Sequence, residues 1–339
     1  MGTHLNRIAV FFALLAAAPG TFADTQIIHA GQLLAVPGGA VASNQTIVVD
    51  GERIVDVRDG FADAADFDGE VTVLDLRDHF VLPGLMDMHV HLQGEMGPDN
   101  DKDELKMSPE LMQMRSLMFA MRTLRAGFTT VRDTGSSPQE MYALRDSINN
   151  GWVDGPRIIA AGGVGITGGH ADISGVKPEL MDMFTSENVC DGPYDCRRAA
   201  RNVIKYGADL IKITSTGGVM TQRATGTDQQ MEMDELEEIV RAAARMGRKV
   251  AAHAHGEGGI IAALDAGVAS IEHGSYTGPD AIRAFKRSGA YLVPTLLAGD
   301  TVVAAATEAD YMADTVKAKA LRVGSDMKGN FAKAHKAGV

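Results

Sequence analysis

The sequence predicts an α/β protein: a parallel sheet made of repeated strand–loop–helix units, with a small β domain before it in the chain. Three observations predict this. From Val81 onwards, short apolar runs alternate with longer amphipathic ones, the rhythm of βαβ units. Between Asp24 and Phe80, short β-branched runs are separated by the turn signals Pro37-Gly38-Gly39, Asp50-Gly51 and Asp59-Gly60, the pattern of a small antiparallel β domain. The stretch Val81–His91, VLPGLMDMHVH, is an apolar run that ends in two histidines spaced i and i+2. Alternate residues of a strand point to the same face, so His89 and His91 can reach one metal ion together.

Each element follows in order. In the N-terminal region Ile27-Ile28, Leu33–Val36, Thr46–Val49, Ile54–Val57 and Val71–Leu74 read as strands. The run before His89 is the first strand of the larger sheet. Phe128–Arg132 is a strand and Gln139–Asn149 a helix; Arg157–Ala161 is a strand, followed by a long glycine-rich loop. Asp209–Ile213, Lys249–His253, Ala269–His273 and Tyr291–Pro294 are strands. Met233–Met246, Gly258–Ala266, Pro279–Ser288 and the stretch Thr301–Lys336 are helical. That makes seven parallel strands, and the sequence reaches Gly338-Val339 directly after a helix.

The 339 residues suffice for one large α/β barrel plus a small accessory domain. A net charge of −12 argues against nucleic acid as a partner. It mildly favours a cationic substrate, though an acidic surface is more often a solubility feature. Met1–Arg7 is positively charged, Ile8–Ala18 is apolar, Pro19-Gly20 breaks the run, and Thr21-Phe22-Ala23 supplies small residues before a cut. That order is a secretory signal peptide over residues 1–23, and it implies an exported protein, periplasmic or secreted. The alternative is a buried N-terminal helix. No other segment is long and apolar enough for a membrane span. In an oxidising compartment Cys190 and Cys196 could close a small loop as a disulfide, or remain two thiols.

The ends of the parallel strands carry His89, His91, Lys212, His253 and His273. Lys212 lies between apolar residues in Leu210-Ile211-Lys212-Ile213-Thr214, where an ammonium is costly to bury. A salt-bridged barrel lysine is the plain alternative. His253 lies in Val250-Ala251-Ala252-His253-Ala254-His255-Gly256 and His273 in Ser270-Ile271-Glu272-His273-Gly274. With these residues in this order, and with the strings Gly127–Gly135 (GFTTVRDTG) and Ile166–Asp172 (ITGGHAD), the chain resembles the amidohydrolase superfamily. The resemblance is to its imidazolonepropionase-like branch, which includes exported metallo-dipeptidases and carboxypeptidases.

The resemblance implies a TIM (β/α)8-type barrel over residues 81–339, truncated before its eighth strand, with a small N-terminal β-sandwich domain over residues 24–80, composite in the family and expected here without its C-terminal part. It implies two divalent metal ions, zinc suiting the nitrogen and oxygen donors, with manganese or cobalt as alternatives. His89 and His91 would hold one ion and His253 and His273 the other, joined by a CO2-derived carbamate on Lys212. The expected reaction is hydrolysis of the amide bond before a C-terminal Arg, Lys or Pro of a dipeptide. An N-acyl amino-acid amidase of the ochratoxin type, or a cyclic-amide hydrolase, is the alternative on the same scaffold. The family also uses an aspartate at the end of strand eight, and no residue here matches it. Asp326 has a helical context, and an eighth strand is missing from the expected set. A metal-binding protein without turnover is therefore the reading from another class. Lys212 and His170 are the expected catalytic residues, His170 with a loop-stabilising role as its alternative. His255, Arg223 and Tyr276 are the expected substrate contacts. A homo-oligomer is compatible with all of this.

Three other patterns have plainer readings. The run Gly162–Gly169 lacks the Gly-Lys-Ser/Thr ending of a phosphate loop. The methionines between Met107 and Met121 fall at helical spacing and are expected to fill core gaps. Asn44-Gln45-Thr46 matches a glycosylation sequon, a short pattern that arises by chance.

Overall fold

A computed structural model of the chain describes residues 25–221 and 226–339. The expected signal peptide and Arg223 lie outside the described residues. Two compact units part between Pro83 and Gly84.

The first unit is one four-stranded sheet: β1 (Thr25–Leu33), β2 (Ala42–Asp50), β3 (Arg53–Asp59) and β4 (Val71–Val81), in the order β3-β2-β1-β4. The pairs β1–β2 and β2–β3 are antiparallel, but β1–β4 is parallel. The link from Asp59 to Val71 carries the chain from one sheet edge to the other, so β4 runs alongside β1 in the same direction. This corrects the all-antiparallel expectation. Buried side chains concentrate on β1 and β2, while β3 is exposed throughout. Leu33–Val36 is not a separate strand either. The β1–β4 register shifts at Gly31, where a Cβ would lie 1.8 Å from the Arg77 carbonyl oxygen. Glycine lets β1 continue through a bulge to Leu33.

The second unit begins with β5 (Leu85–Val90), α1 (Asn100–Lys106), α2 (Pro109–Arg125), β6 (Phe128–Asp133), α3 (Pro138–Asn149) and β7 (Arg157–Ile166). It continues with α4 (Pro178–Phe184), β8 (Val189–Cys190), α5 (Gly192–Lys205), β9 (Leu210–Thr214), α6 (Met233–Arg245) and β10 (Lys249–Ala254). It ends with α7 (Glu257–Ala266), β11 (Ser270–His273), α8 (Pro279–Ser288), β12 (Tyr291–Val293), α9 (Leu296–Glu308) and α10 (Asp314–Lys336). Strands β5-β6-β7-β9-β10-β11-β12 form one parallel sheet, with the short β8 beside β7. The sheet curls into a nearly closed barrel surrounded by helices, the TIM-like architecture. Its curvature shows in the Arg132 side chain on β6, which crosses the interior to Ser270 and Glu272 on β11.

The helices form where amphipathic spacing meets good boundaries. On α6, Leu236, Ile239, Ala242 and Ala243 make one buried stripe, and Cys196, Ala199, Ala200 and Val203 do the same on α5. Ser108 caps α2 ahead of Pro109, and left-handed Gly267 and Gly289 close α7 and α8. The stretch Thr301–Lys336 is two helices, α9 and α10, separated by extended backbone at Ala309. Among the α2 methionines, Met114 and Met118 are exposed, which corrects the expectation that they fill the core. Cys190 and Cys196 are disulfide-bonded, tying β8 to the start of α5. No helix among the described residues is long and apolar enough to cross a membrane.

Candidate metal centre

The C-terminal ends of the barrel strands open into a cavity of about 690 Å3. His89, His91, Lys212, His253 and His273 all line it, as do His170 and His255. Register brings two of these groups together. Parallel pairing sets Ala251 beside Lys212, so His253, two residues after Ala251, projects from the same face one step further up the barrel. His273 pairs with Ala254, on the opposite alternation, and reaches the cavity at the strand end with a left-handed backbone, φ 71°.

The imidazoles form a continuous cluster. Ring centroids lie 4.9 Å apart for His89–His273, 4.6 Å for His253–His273 and 4.4 Å for His170–His253. The His89 and His91 Nε2 atoms are 3.4 Å apart. Two nitrogens each about 2.0–2.1 Å from one tetrahedral zinc ion would be about 3.3 Å apart, so this pair fits a shared ion. The His89 Nδ1 lies 2.7 Å from Glu272 Oε2. An ionised carboxylate only accepts, so His89 donates through Nδ1 and keeps its Nε2 lone pair for the cavity. His273 Nδ1 is likewise taken by Thr295 Oγ1 at 2.8 Å.

Backbone strain marks the same place. His273 and Thr295 both have positive φ, 71° and 48°, and they hydrogen-bond to each other. Such conformations cost about 1–3 kcal/mol each and persist where surrounding structure imposes them. Glycine appears where a ring must be approached closely: a Cβ on Gly135 would meet the His91 ring at 2.0 Å, and one on Gly218 the His170 ring at 2.1 Å.

Burial sets the protonation states. It holds His89 and His170 down at about 4 and His255 at about 3, and places His253 and His273 well below the usual imidazole range. All are neutral donors at pH 7. Burial also lowers the Lys212 ammonium to about 8. Lys212 makes no salt bridge among the described residues, so the ion-paired alternative fails. Burial pushes the Glu272 carboxyl up, but His89, Arg132 and Lys212 together bring it below its ordinary value.

The donor set suits divalent metal: four or more neutral imidazoles around a buried, readily deprotonated amine. Among the described residues no three of His, Cys, Asp or Glu stand close enough to hold one ion unaided. The rings approach in pairs, His89–His91 and His253–His273, and Lys212 lines the same cavity. Four cavity-lining polar atoms, Gln93 Nε2, Thr134 Oγ1, Thr214 Oγ1 and His253 Nε2, are buried without a hydrogen-bond partner among the described residues. Buried polar atoms of that kind need a ligand, an ion or water.

The remaining expected contacts divide. His170 faces the cavity from the loop after β7; its backbone N–H donates to Gln230 Oε1 at 2.9 Å, and its Nδ1 meets the Thr221 hydroxyl. His255 is also in the cavity, held through Nδ1 by Ser275 Oγ at 2.7 Å. Tyr276 is not among the lining residues; it packs beside the cluster of Val219, Val316 and Val323, because the chain turns away after Ser275. Asp326 is exposed on α10. Sequence reasoning assigned no role to Glu272, Arg132 or Asp133. Arg132 donates to Glu272 Oε1 at 2.6 Å and to the Met88 carbonyl at 2.6 Å. Asp133 accepts from the Leu92 and Ser136 backbone N–H groups at 2.7 and 2.9 Å. The signal that could have found them is the one that found Lys212: charge inside an apolar strand.

A family model described as the amidohydrolase family matches residues 80–339, and the chain belongs to that family. The ochratoxinase of Aspergillus niger is 31% identical over 288 residues, which is 80% of this chain. The chain spans 59% of the length of that curated relative. The crystal structure of a Xaa-Pro dipeptidase with bound methionine in the active site is 39% identical, with a TM-score of 0.87 over 93% of this chain and 78% of that one. The A. niger ochratoxinase structure is 28% identical, with a TM-score of 0.79 over 93% of this chain and 74% of that one.

Proposed function

We propose that the barrel unit hydrolyses the amide bond before a C-terminal amino acid, in a dipeptide or an N-acyl amino acid, with two divalent metal ions. The observation that carries this is the cavity at the strand ends, where neutral imidazoles surround a buried lysine. The relatives named as an Xaa-Pro dipeptidase and an ochratoxinase support the same reading. His89 and His91 would hold one ion, His253 and His273 the other. Lys212 would join them as a carbamate; its lowered pKa supplies the neutral amine that takes up CO2. When bound, such ions supply an acidified water and a Lewis acid for the scissile carbonyl.

The chain's own residues do the rest. Glu272 fixes the His89 tautomer and is itself neutralised by Arg132. Gln93, Thr134 and Thr214 offer unspent hydrogen bonds to a substrate. His170 and His255 face the substrate as neutral rings, each oriented by a hydroxyl. Val302 on α9 and Val323 and Met327 on α10, with Val219, give the cavity an apolar wall. That wall favours Pro or another apolar residue over Arg or Lys. Export with loss of residues 1–23 fits the sequence pattern, and the Cys190–Cys196 bond suits an oxidising compartment.

The test is amine release from dipeptides and N-acyl amino acids ending in Pro, Phe, Arg or Lys, using zinc-loaded protein with bicarbonate. Release that stops on chelation and returns with zinc supports the hydrolase. Uptake of metal with no release from any substrate sinks it and leaves a metal-binding protein.

A further inference from the structure

The long helix α10 touches the site through two polar side chains on one face. Lys319 and Asn330 are eleven positions apart, about three helical turns, so they lie in one stripe. Between them Ala320, Val323, Gly324 and Met327 line the cavity. The buried Lys319 Nζ donates to the Gly218 carbonyl at 3.1 Å and the Thr221 carbonyl at 2.5 Å, both in the loop after β9. Asn330 Nδ2 donates to the Ser275 carbonyl at 2.9 Å, in the loop after β11.

Each gripped loop orients one histidine. Thr221 presents its hydroxyl to His170 Nδ1, and Gly218 lies so close to the His170 ring that no Cβ fits. Ser275 presents its hydroxyl to His255 Nδ1 at 2.7 Å. The two arms are separate in sequence and in space along α10, but they have the same construction: helix side chain, loop carbonyl, loop hydroxyl, imidazole Nδ1.

We infer that Lys319 and Asn330 are positioning residues: α10 sets the ring orientation of His170 through Lys319 and of His255 through Asn330. The residues act through Thr221 and Ser275, so their loss should disturb one ring each and leave His89 and His91 in place.

The experiment uses the full chain with 15N-labelled histidine, resonances being assigned from His170→Gln and His255→Gln. Lys319→Met keeps the aliphatic stem and removes the donors; Asn330→Leu does the same for the amide. Expected in K319M is a change in the His170 ring nitrogens larger than that in His255, whose ring also feels the Lys319 charge, and in N330L a change in the His255 ring nitrogens with His170 unchanged. Lys319→Arg, which keeps the donors, should restore most of the His170 signal. Unchanged target rings, or equal changes in all site histidines, overturn the inference and leave α10 a structural strap. If K319M does not fold, N330L and His255 decide the matter alone. A kinetic arm rests on the proposed hydrolysis: KM should rise about tenfold with kcat little changed. An inactive parent chain would sink that reading, while the spectra would still decide this one.

Discussion

The floor of the cavity and its wall are built differently. The floor is His89, His91, Lys212, His253 and His273: the last three are paired in the ladder of the parallel sheet, His89 lies in β5 and His91 directly after it. The wall is His170, His255, α9 and α10, and its two histidines each depend on single hydroxyl contacts reaching 51 and 20 residues along the chain. A ladder position cannot shift without moving its neighbours. A loop position can. Changes in the floor should therefore act nearly all-or-none, and changes in the wall should be graded.

The largest expected effect tests the floor. Lys212→Ala removes the only amine among the five groups that would hold metal, and should abolish amine release and the uptake of one ion per chain. Metal analysis after dialysis checks it; full occupancy of two ions in K212A would show that the lysine has no part in binding.

Acid comes next, on the metal-free chain. His89 is held down at about 4 by burial, and His170 likewise, against an unfolded value near 6.5. Between those values the unfolded chain binds protons that the folded chain refuses. These groups add nothing above about pH 6.5 and cost stability progressively as the pH falls towards 4. Urea midpoints of chelated protein should fall steadily over that window. A flat profile would mean the rings are not buried as a cluster. Added zinc should protect at pH 7 and lose its effect on acidification, because protons compete for the same nitrogens.

Glu272→Gln should weaken metal binding about 10–100-fold, by loosening the His89 tautomer. It also leaves Arg132 buried without its carboxylate, a change expected to cost about 3 kcal/mol of stability. Isothermal titration with zinc and a denaturant curve separate the two effects. Unchanged affinity would mean that the sheet alone orients His89.

The floor was legible in the sequence for the same reason that it is rigid. Strand position and alternation are local properties, so His89, His91, Lys212, His253 and His273 could be read from short apolar runs. The seven parallel strands were found the same way, six of them close to their observed bounds; β7 runs on to Ile166, through glycines expected to be loop. The helix α5 was not, since its amphipathic stripe of Cys196, Ala199, Ala200 and Val203 is small and the segment is rich in charge. The parallel pairing of β4 with β1 was missed because nothing local tells which edge of a sheet a returning chain will join. His170 and His255 were legible as residues and α10 as part of a helical stretch, but the contacts through Thr221, Ser275 and α10 that hold the two rings were not. Tyr276 lies outside the cavity lining for a related reason: nearness to His273 in sequence does not carry a side chain into the cavity when the backbone turns at Gly274, whose φ is 57°.

Two glycines offer the sharpest and smallest comparison. Gly135 lies against the His91 ring in the floor and Gly218 against the His170 ring in the wall, with built Cβ atoms at 2.0 and 2.1 Å. Both clashes are with side chains, and both backbones have ordinary φ. The steric insult is therefore nearly the same, at a cost of about 1–3 kcal/mol if the ring cannot move. The His91 ring stacks on that of His89, its expected partner on one ion, so Gly135→Ala should lower zinc affinity. His170 sits on a loop, so Gly218→Ala should leave zinc affinity unchanged and raise KM. The stability loss should also be smaller in G218A, because the His170 loop can yield where the stacked His89–His91 pair cannot. Equal losses in both variants, with equal effects on zinc, would erase the distinction between floor and wall.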